Sequence, residues 1–150
     1  MSKVIGFASV VGDMLHAGHI LYLNEAKNNC DFLYCGIIAN PRLDRPEKNE
    51  PVQSLYERWV QVSSHRAVDC VVPLMGEADL MLAIKSLPIN IRFVGSDYYG
   101  KGFTGKEWCL ENGILIHYCS RNHGLSSTEL RKRVATLKNN QREYSKNERE

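Results

Sequence analysis

Apolar positions in this chain fall into two alternating kinds of run. Val4 to Val11, Asp31 to Ala39, Val68 to Leu74, Ile91 to Gly95 and Ile114 to Cys119 are short, nearly continuous stretches that read as strands. The second, Phe32-Leu33-Tyr34-Cys35-Gly36-Ile37-Ile38, has the unbroken apolar character of a strand buried on both faces. Between them the spacing changes to threes and fours. Ile20, Leu21, Leu23 and Ala26 gather on one side of a helix from Gly18 to Asn29, and Leu55, Trp59 and Val62 do so in a helix running to about Arg66. Glu77 to Leu87 predicts a third helix, a short one ends at Gly113, and Leu130, Val134 and Leu137 mark the last.

Three helix starts carry a Ser/Thr-x-x-Glu pattern, at Ser54, Thr104 and Ser126, and each predicts a capping box. Pro41 to Gln53 is polar, holds Pro41, Pro46 and Pro51, and predicts a loop. After Lys138 the chain turns polar, which predicts a frayed tail over 138–150 behind one domain spanning 1–137. Strands alternating with helices predict an α/β fold, a three-layer αβα domain around a five-stranded parallel sheet with right-handed crossovers. Such sheets bind ligands at the carboxyl ends of their strands. That edge holds the segments around His16, Pro41 to Gln53, Leu74 to Gly76, Gly95 to Gly105 and Arg121 to Ser127.

Composition narrows the class. A chain of 150 residues with 43% hydrophobic and 24% charged residues can fill a core without staples. No apolar run approaches a membrane span, and Met1-Ser2-Lys3 leads into a strand rather than a signal peptide, so the expected compartment is the cytoplasm. Cys30, Cys35, Cys70, Cys109 and Cys119 form no Cys-x-x-Cys pair, which argues for reduced thiols and against a zinc framework. Net charge is −2 over residues 1–120 and +4 over 121–150. A mildly basic end suits a phosphate-bearing ligand but is too weak to imply nucleic acid.

The chemistry concentrates in four places. His16-Ala17-Gly18-His19 opens the first helix. A lone histidine there is an ordinary polar contact, but two imidazoles around a glycine form a site for phosphate oxygens whose charge grows during substitution at phosphorus. Bound polyphosphate would shift each imidazole toward its protonated form. Arg121-Asn122-His123-Gly124-Leu125-Ser126-Ser127-Thr128 is a glycine turn feeding a capped helix, with Arg121 as a bidentate charge; the plain alternative is a simple cap. Arg42 to Asn49 is a charged loop, which by itself suits solvent as well as a ligand. Gly95-Ser96-Asp97 is a turn in which Asp97 accepts from a base or ribose, or fixes the turn itself.

His16-Ala17-Gly18-His19 matches the His-x-Gly-His signature of the nucleotidyltransferase superfamily, and Arg121 to Thr128 resembles its Arg-Thr-Glu-Gly-Ile-Ser-Thr-Thr segment. The resemblance covers most of residues 4–134 and is greatest to the small cytidylyltransferases of the glycerol-3-phosphate kind. It implies a Rossmann-like domain with His16, His19, Lys48 and Arg121 as catalytic residues. Lys48 corresponds to a lysine on the reacting phosphates, with Arg45 as a competitor for that place. Arg58 matches an arginine of the following helix, and the resemblance puts Arg45 and Arg58 on the acceptor. Val11, Gly12, Asp13, Gly18, Asp97, Gly124, Leu125, Ser126, Ser127 and Thr128 are implied beside the nucleotide, Asp13 as a loop organiser rather than a metal ligand. Three positions depart from the pattern. His123 replaces an acidic residue, Gly12 stands where a bulky aromatic is common, and Ala78-Asp79-Leu80-Met81 lacks a third-helix lysine.

The implied reaction transfers CMP from CTP to a small phosphorylated alcohol such as glycerol 3-phosphate, with release of pyrophosphate. Mg²⁺ would be carried mainly by the triphosphate, with no protein metal ligands; the implied assembly is a homodimer, without nucleic acid or membrane. The alternatives are an adenylyltransferase acting on a phosphorylated sugar or alcohol, and a non-catalytic nucleotide-binding module.

Overall fold

Helix-length connections between strands are long enough for parallel pairing, and the computed structural model, which describes residues 2–147 with side chains to 142, has that arrangement. Strands β1 (Ile5–Val10), β2 (Phe32–Ile38), β3 (Cys70–Leu74), β4 (Ile91–Gly95) and β5 (Leu115–Cys119) form one sheet in the order β3-β2-β1-β4-β5. All pairs are parallel, with Ile5 opposite Phe32, Tyr34 opposite Cys70, Phe7 opposite Arg92 and Ile91 opposite Leu115. The predicted three-layer α/β architecture with its five-stranded parallel sheet is therefore the observed one.

Two apolar clusters cover the two faces. Ala8, Leu33, Cys35, Ile37 and Phe93 meet Leu23 and Ala26 of α1 (Ala17–Asn28) and Val62 of α2 (Leu55–Ser63). Phe7 and Leu74 meet Leu80, Ala83 and Ile84 of α3 (Glu77–Ser86) and Cys109 of α4 (Lys106–Glu111) on the other face. The chain leaves β1 toward β2 and β3, then returns past β1 to β4, so the order reverses between β1 and β4. Such a reversal opens a crevice at the carboxyl ends of the two strands. All five cysteines are free thiols. No helix of the described residues is long and apolar enough to cross a membrane.

Some boundaries differ from the expected ones. The helix from Ser54 stops at Ser63, and Val68 donates its amide to His65, so β3 starts only at Cys70. The Ser54 box is complete, with Ser54 and Glu57 exchanging side-chain and backbone bonds. The Ser126 hydroxyl accepts from the Glu129 amide. Thr104 caps nothing: Gly105, in a left-handed conformation with φ 84°, precedes α4, and the Thr104 hydroxyl donates instead to Glu77 Oε2 at 2.6 Å. Helix α5 (Ser127–Asn147) runs on past Lys138, where fraying is expected, and Val134 and Leu137 on its predicted apolar stripe are exposed. Residues 148–150 of the expected tail lie outside the described residues.

Candidate active site

The crevice is a cavity of about 400 Å³. Ser9, Val10 and Val11 of β1 and its end form part of its wall, and Arg92 to Gly95 of β4 form the facing part. His16, Gly18 and His19 enter from the α1 start, Lys48 and Arg45 from the loop after β2, and Asp97 and Tyr98 from the turn after β4. Arg121 and Ser126 to Thr128 close it at the α5 start.

The histidine spacing has a local cause. His16 is the N-cap of α1, and its Nδ1 accepts from the Gly18 amide at 3.1 Å, while His19 Nδ1 accepts from the His16 amide at 3.3 Å. The pair is a capping box made of imidazoles, with rings 4.0 Å apart. The Gly18 amide of the first turn is therefore already used within the protein. Because each Nδ1 is an acceptor, each neutral ring carries its proton on Nε2. His16 Nε2–H reaches Ser127 Oγ at 3.2 Å, whose hydroxyl donates to the Asp13 carbonyl at 3.1 Å. The two motifs thus meet through a side-chain bond. They also meet through backbone: a Cβ on Gly18 would lie 2.7 Å from the Leu125 carbonyl oxygen, so only glycine lets the α5 approach pack there.

Burial lowers the His16 pKa, with His123 and Arg121 acting in the same direction. His19 falls to about 4, through burial first and then the neighbouring His16 and Arg121. The free site therefore holds neutral imidazoles at pH 7, each a donor through Nε2. The unfolded chain, with ordinary histidines, binds more protons between pH 6.5 and about 4, so folded stability is complete above that window and declines as pH falls through it. Melting temperatures should drop steadily from pH 7 to pH 4.5, and His19→Gln should flatten that slope. An equally steep slope in the variant would assign the acid sensitivity elsewhere.

Asp13 does not line the cavity but holds its walls together. Its carboxylate is almost fully buried, accepts from the Val52 and Gln53 amides at 3.0 and 2.9 Å, and pairs with Arg131 Nη2 at 2.6 Å. Burial alone would raise its pKa; those amides and Arg131 outweigh burial and hold the carboxyl below its usual range. Arg131 is a site-organising residue that sequence reading missed, and its only signal is a position four residues after Ser127 on one helix face.

Other expected residues are placed differently. Arg58 lies behind the cavity wall instead of in it: only 2% exposed, its guanidinium donates to the carbonyls of Val11, Ile38, Ala39, Gln53 and Ser54 and clamps the loops that carry them. Gly12, with φ 72°, turns the chain against Val62 and stays out of the cavity wall, as do Gly124 and Leu125. Asp97 pairs with Arg121 Nη1 at 3.1 Å, both half-exposed. Lys48 reaches the cavity and makes no side-chain hydrogen bond to a described residue. Arg45 is engaged by Glu77 Oε1 at 2.8 Å and the Tyr98 hydroxyl at 2.9 Å. Glu77, Tyr98, Thr104 and Arg92 are cavity residues that the sequence did not single out.

Carboxylates at the cavity are committed elsewhere: Glu77 to Arg45 and Thr104, Asp97 to Arg121, Asp44 to the Glu77 amide. Away from it, Glu25, His117 and Cys119 gather potential metal-ligand atoms within 4.8 Å, but the Glu25 carboxylate is bonded to His117 Nε2 and the Ser120 amide, and Cys119 is fully buried as a thiol pushed up to about 12 by burial.

Known proteins share this architecture. The crystal structure of a lipopolysaccharide core biosynthesis protein from Thermoplasma volcanium superposes with a TM-score of 0.63 at 24% identity, over 79% of this chain and 96% of that one. A pantoate-β-alanine ligase from Francisella tularensis superposes at 0.52 with 20% identity, over 86% and 68%. In sequence, the bifunctional protein HldE of Granulibacter bethesdensis is 29% identical over 138 residues, which are 91% of this chain and 28% of that protein. HldE of Helicobacter hepaticus is 32% identical over 118 residues, 78% and 24% respectively. This chain therefore spans about a quarter of the length of those relatives. The sequence pattern of the cytidylyltransferase-like family runs through residues 13–133, from the aspartate before the histidine pair to the first turns of α5. On that match this chain belongs to the cytidylyltransferase-like family of nucleotidyltransferases.

Proposed function

We propose that this domain transfers the nucleoside monophosphate part of CTP to the phosphate of a small phosphorylated alcohol. A phosphate oxygen of the acceptor attacks the α-phosphorus, the bond to the bridging oxygen breaks, and pyrophosphate leaves. The acceptor is already an anion, so the protein's task is to orient the reactants and neutralise the transition state. The carrying observation is the bond between His16 and Ser127, which brings the two motifs to one cavity. His19 donates its Nε2–H to an oxygen of the α- or β-phosphate, and His16 does the same when bound nucleotide takes its Nε2–H over from Ser127 Oγ. Lys48 spans the acceptor and α-phosphates, while Arg121 with Ser126 to Thr128 holds the β/γ end. Mg²⁺ would be held mainly by the triphosphate, whose charge it would offset, since the cavity carboxylates are already paired within the protein.

A second reading, adenylyl transfer from ATP to a phosphorylated sugar, draws support from the similarity to the HldE proteins. Pyrophosphate release should be measured with CTP and ATP against glycerol, ribitol, choline, ethanolamine and sugar phosphates. Faster release from CTP with an alcohol phosphate is expected. Faster release from ATP with a sugar phosphate would make the second reading correct, and tight nucleotide binding without release would mark a non-catalytic module.

A further inference from the structure

Arg92 stands alone in this sheet. It sits in β4 opposite Phe7 and is only 3% exposed, in a strand whose neighbours Phe93 and Val94 are buried hydrophobics. Its guanidinium lies 5.0 Å from the Phe7 ring, and Nη2 donates to Ser9 Oγ at 3.3 Å. Nε and Nη1 are buried with no partner, and no carboxylate pairs with it among the described residues. Glu77, on the same cavity, is taken by Arg45 and Thr104. An arginine stays charged, and a buried charge without a counter-ion is costly to the fold. The contacts with the Phe7 ring and Ser9 are what the fold gains in return, and they leave Nε and Nη1 unanswered.

Position says what the charge is for. Arg92 and Ser9 both line the cavity where β1 and β4 part. Arg92 packs with Phe7, on the face covered by α3 and α4, whereas the histidines come from α1 on the opposite face. The cavity thus has two walls of N–H donors fed from the two sides of the sheet, one carrying the Arg92 charge and the other the histidine pair joined to Ser127.

We propose that Arg92, braced by Ser9, determines acceptor specificity by receiving anionic oxygens of the phosphorylated acceptor in the part of the cavity bordered by Leu80, Tyr98 and Thr104. The inference rests on the nucleotidyl-transfer reading for the word acceptor, but the anion site itself is testable without turnover. Calorimetric titration of the full chain with CTP, ATP, glycerol 3-phosphate, glucose 1-phosphate and 3-phosphoglycerate, beside melting curves, supplies the test. Arg92→Met should bind the three phosphorylated compounds about 10- to 100-fold more weakly, keep its nucleotide affinity, and melt no lower than the parent. Arg92→Lys, which keeps the charge, should fall between the two. An equal loss for all three compounds identifies the reacting phosphate as the group held; a loss confined to 3-phosphoglycerate identifies a second anionic group. Unchanged affinities with a lower melting temperature would make Arg92 structural and overturn the inference, as would a loss of nucleotide affinity instead. A parent protein that binds none of the three compounds would overturn it too. Arg92-dependent binding without pyrophosphate release from any pair would uphold the anion site and defeat nucleotidyl transfer alone.

Discussion

His16→Asn and His19→Gln should each slow pyrophosphate release by about 10²- to 10³-fold while leaving the melting temperature at pH 7 close to that of the parent protein. The choice of replacement follows from the capping geometry. Asparagine is among the best N-cap residues, so its side-chain oxygen can take over the bond that His16 Nδ1 accepts from Gly18. Glutamine at the third helical position belongs to the capping box itself and can accept from the His16 amide as His19 Nδ1 does. Neither amide reproduces an Nε2–H held in an oriented aromatic ring, and losing one preorganised donor at a developing charge typically raises a barrier by about 2.7–4 kcal/mol. Alanine at either place would lose the cap as well, at about 1 kcal/mol, and would confuse the two effects. Steady-state pyrophosphate release and thermal melts on the same samples separate them. Near-normal turnover in both variants would reduce the pair to a helix cap and sink the proposed mechanism.

The sheet could be read from the chain because a parallel strand covered on both faces must be apolar at nearly every position, as Phe32 to Ile38 is, and because such strands cannot be joined without a helix between them. Thr104 shows where local pattern fails. Its Thr-x-x-Glu spacing is correct for a box, but Gly105 takes a left-handed turn, and Glu77 on another helix offers the hydroxyl a better acceptor. Arg58 takes its observed place for a related reason. One-dimensional spacing puts it on a helix near a charged loop and is silent about direction, and five carbonyls of converging loop ends claim its donors. The histidine pair was legible as chemistry and illegible as geometry: proximity to phosphate can be inferred from the tetrapeptide, whereas the ring tautomers depend on which amides the Nδ1 atoms meet. Arg92 did leave a signal, a charge inside the apolar run Ile91 to Gly95, because a charged side chain in a strand covered on both faces is almost never buried without a use.

Asp13→Ala should be among the most destabilising single changes in the chain, by about 3–5 kcal/mol, and should weaken nucleotide binding without removing any group that touches the cavity. Three segments far apart in sequence end on this carboxylate: the loop before α1 that carries it, the Val52–Gln53 turn before α2, and Arg131 on α5. Removing it strands two amides and leaves Arg131 with the Glu50 carbonyl as its remaining partner, while its Nε is already buried without one. Asp13→Asn separates the causes. One amide oxygen can still accept from Val52 or Gln53, but the new NH₂ faces Arg131 as a donor against a donor, so most of the loss should persist. Arg131→Met in the Asp13→Asn background should recover part of it, since the unpaired cation is then gone. Urea unfolding measures the three steps, and nucleotide titration checks the link to the site. His16 Nε2 reaches Ser127, and Ser127 reaches the Asp13 carbonyl, so loosening this loop should release the α5 start from the histidine pair. Full stability and affinity in Asp13→Ala would mean that Ser127 and the Gly18–Leu125 contact hold the two motifs together without it.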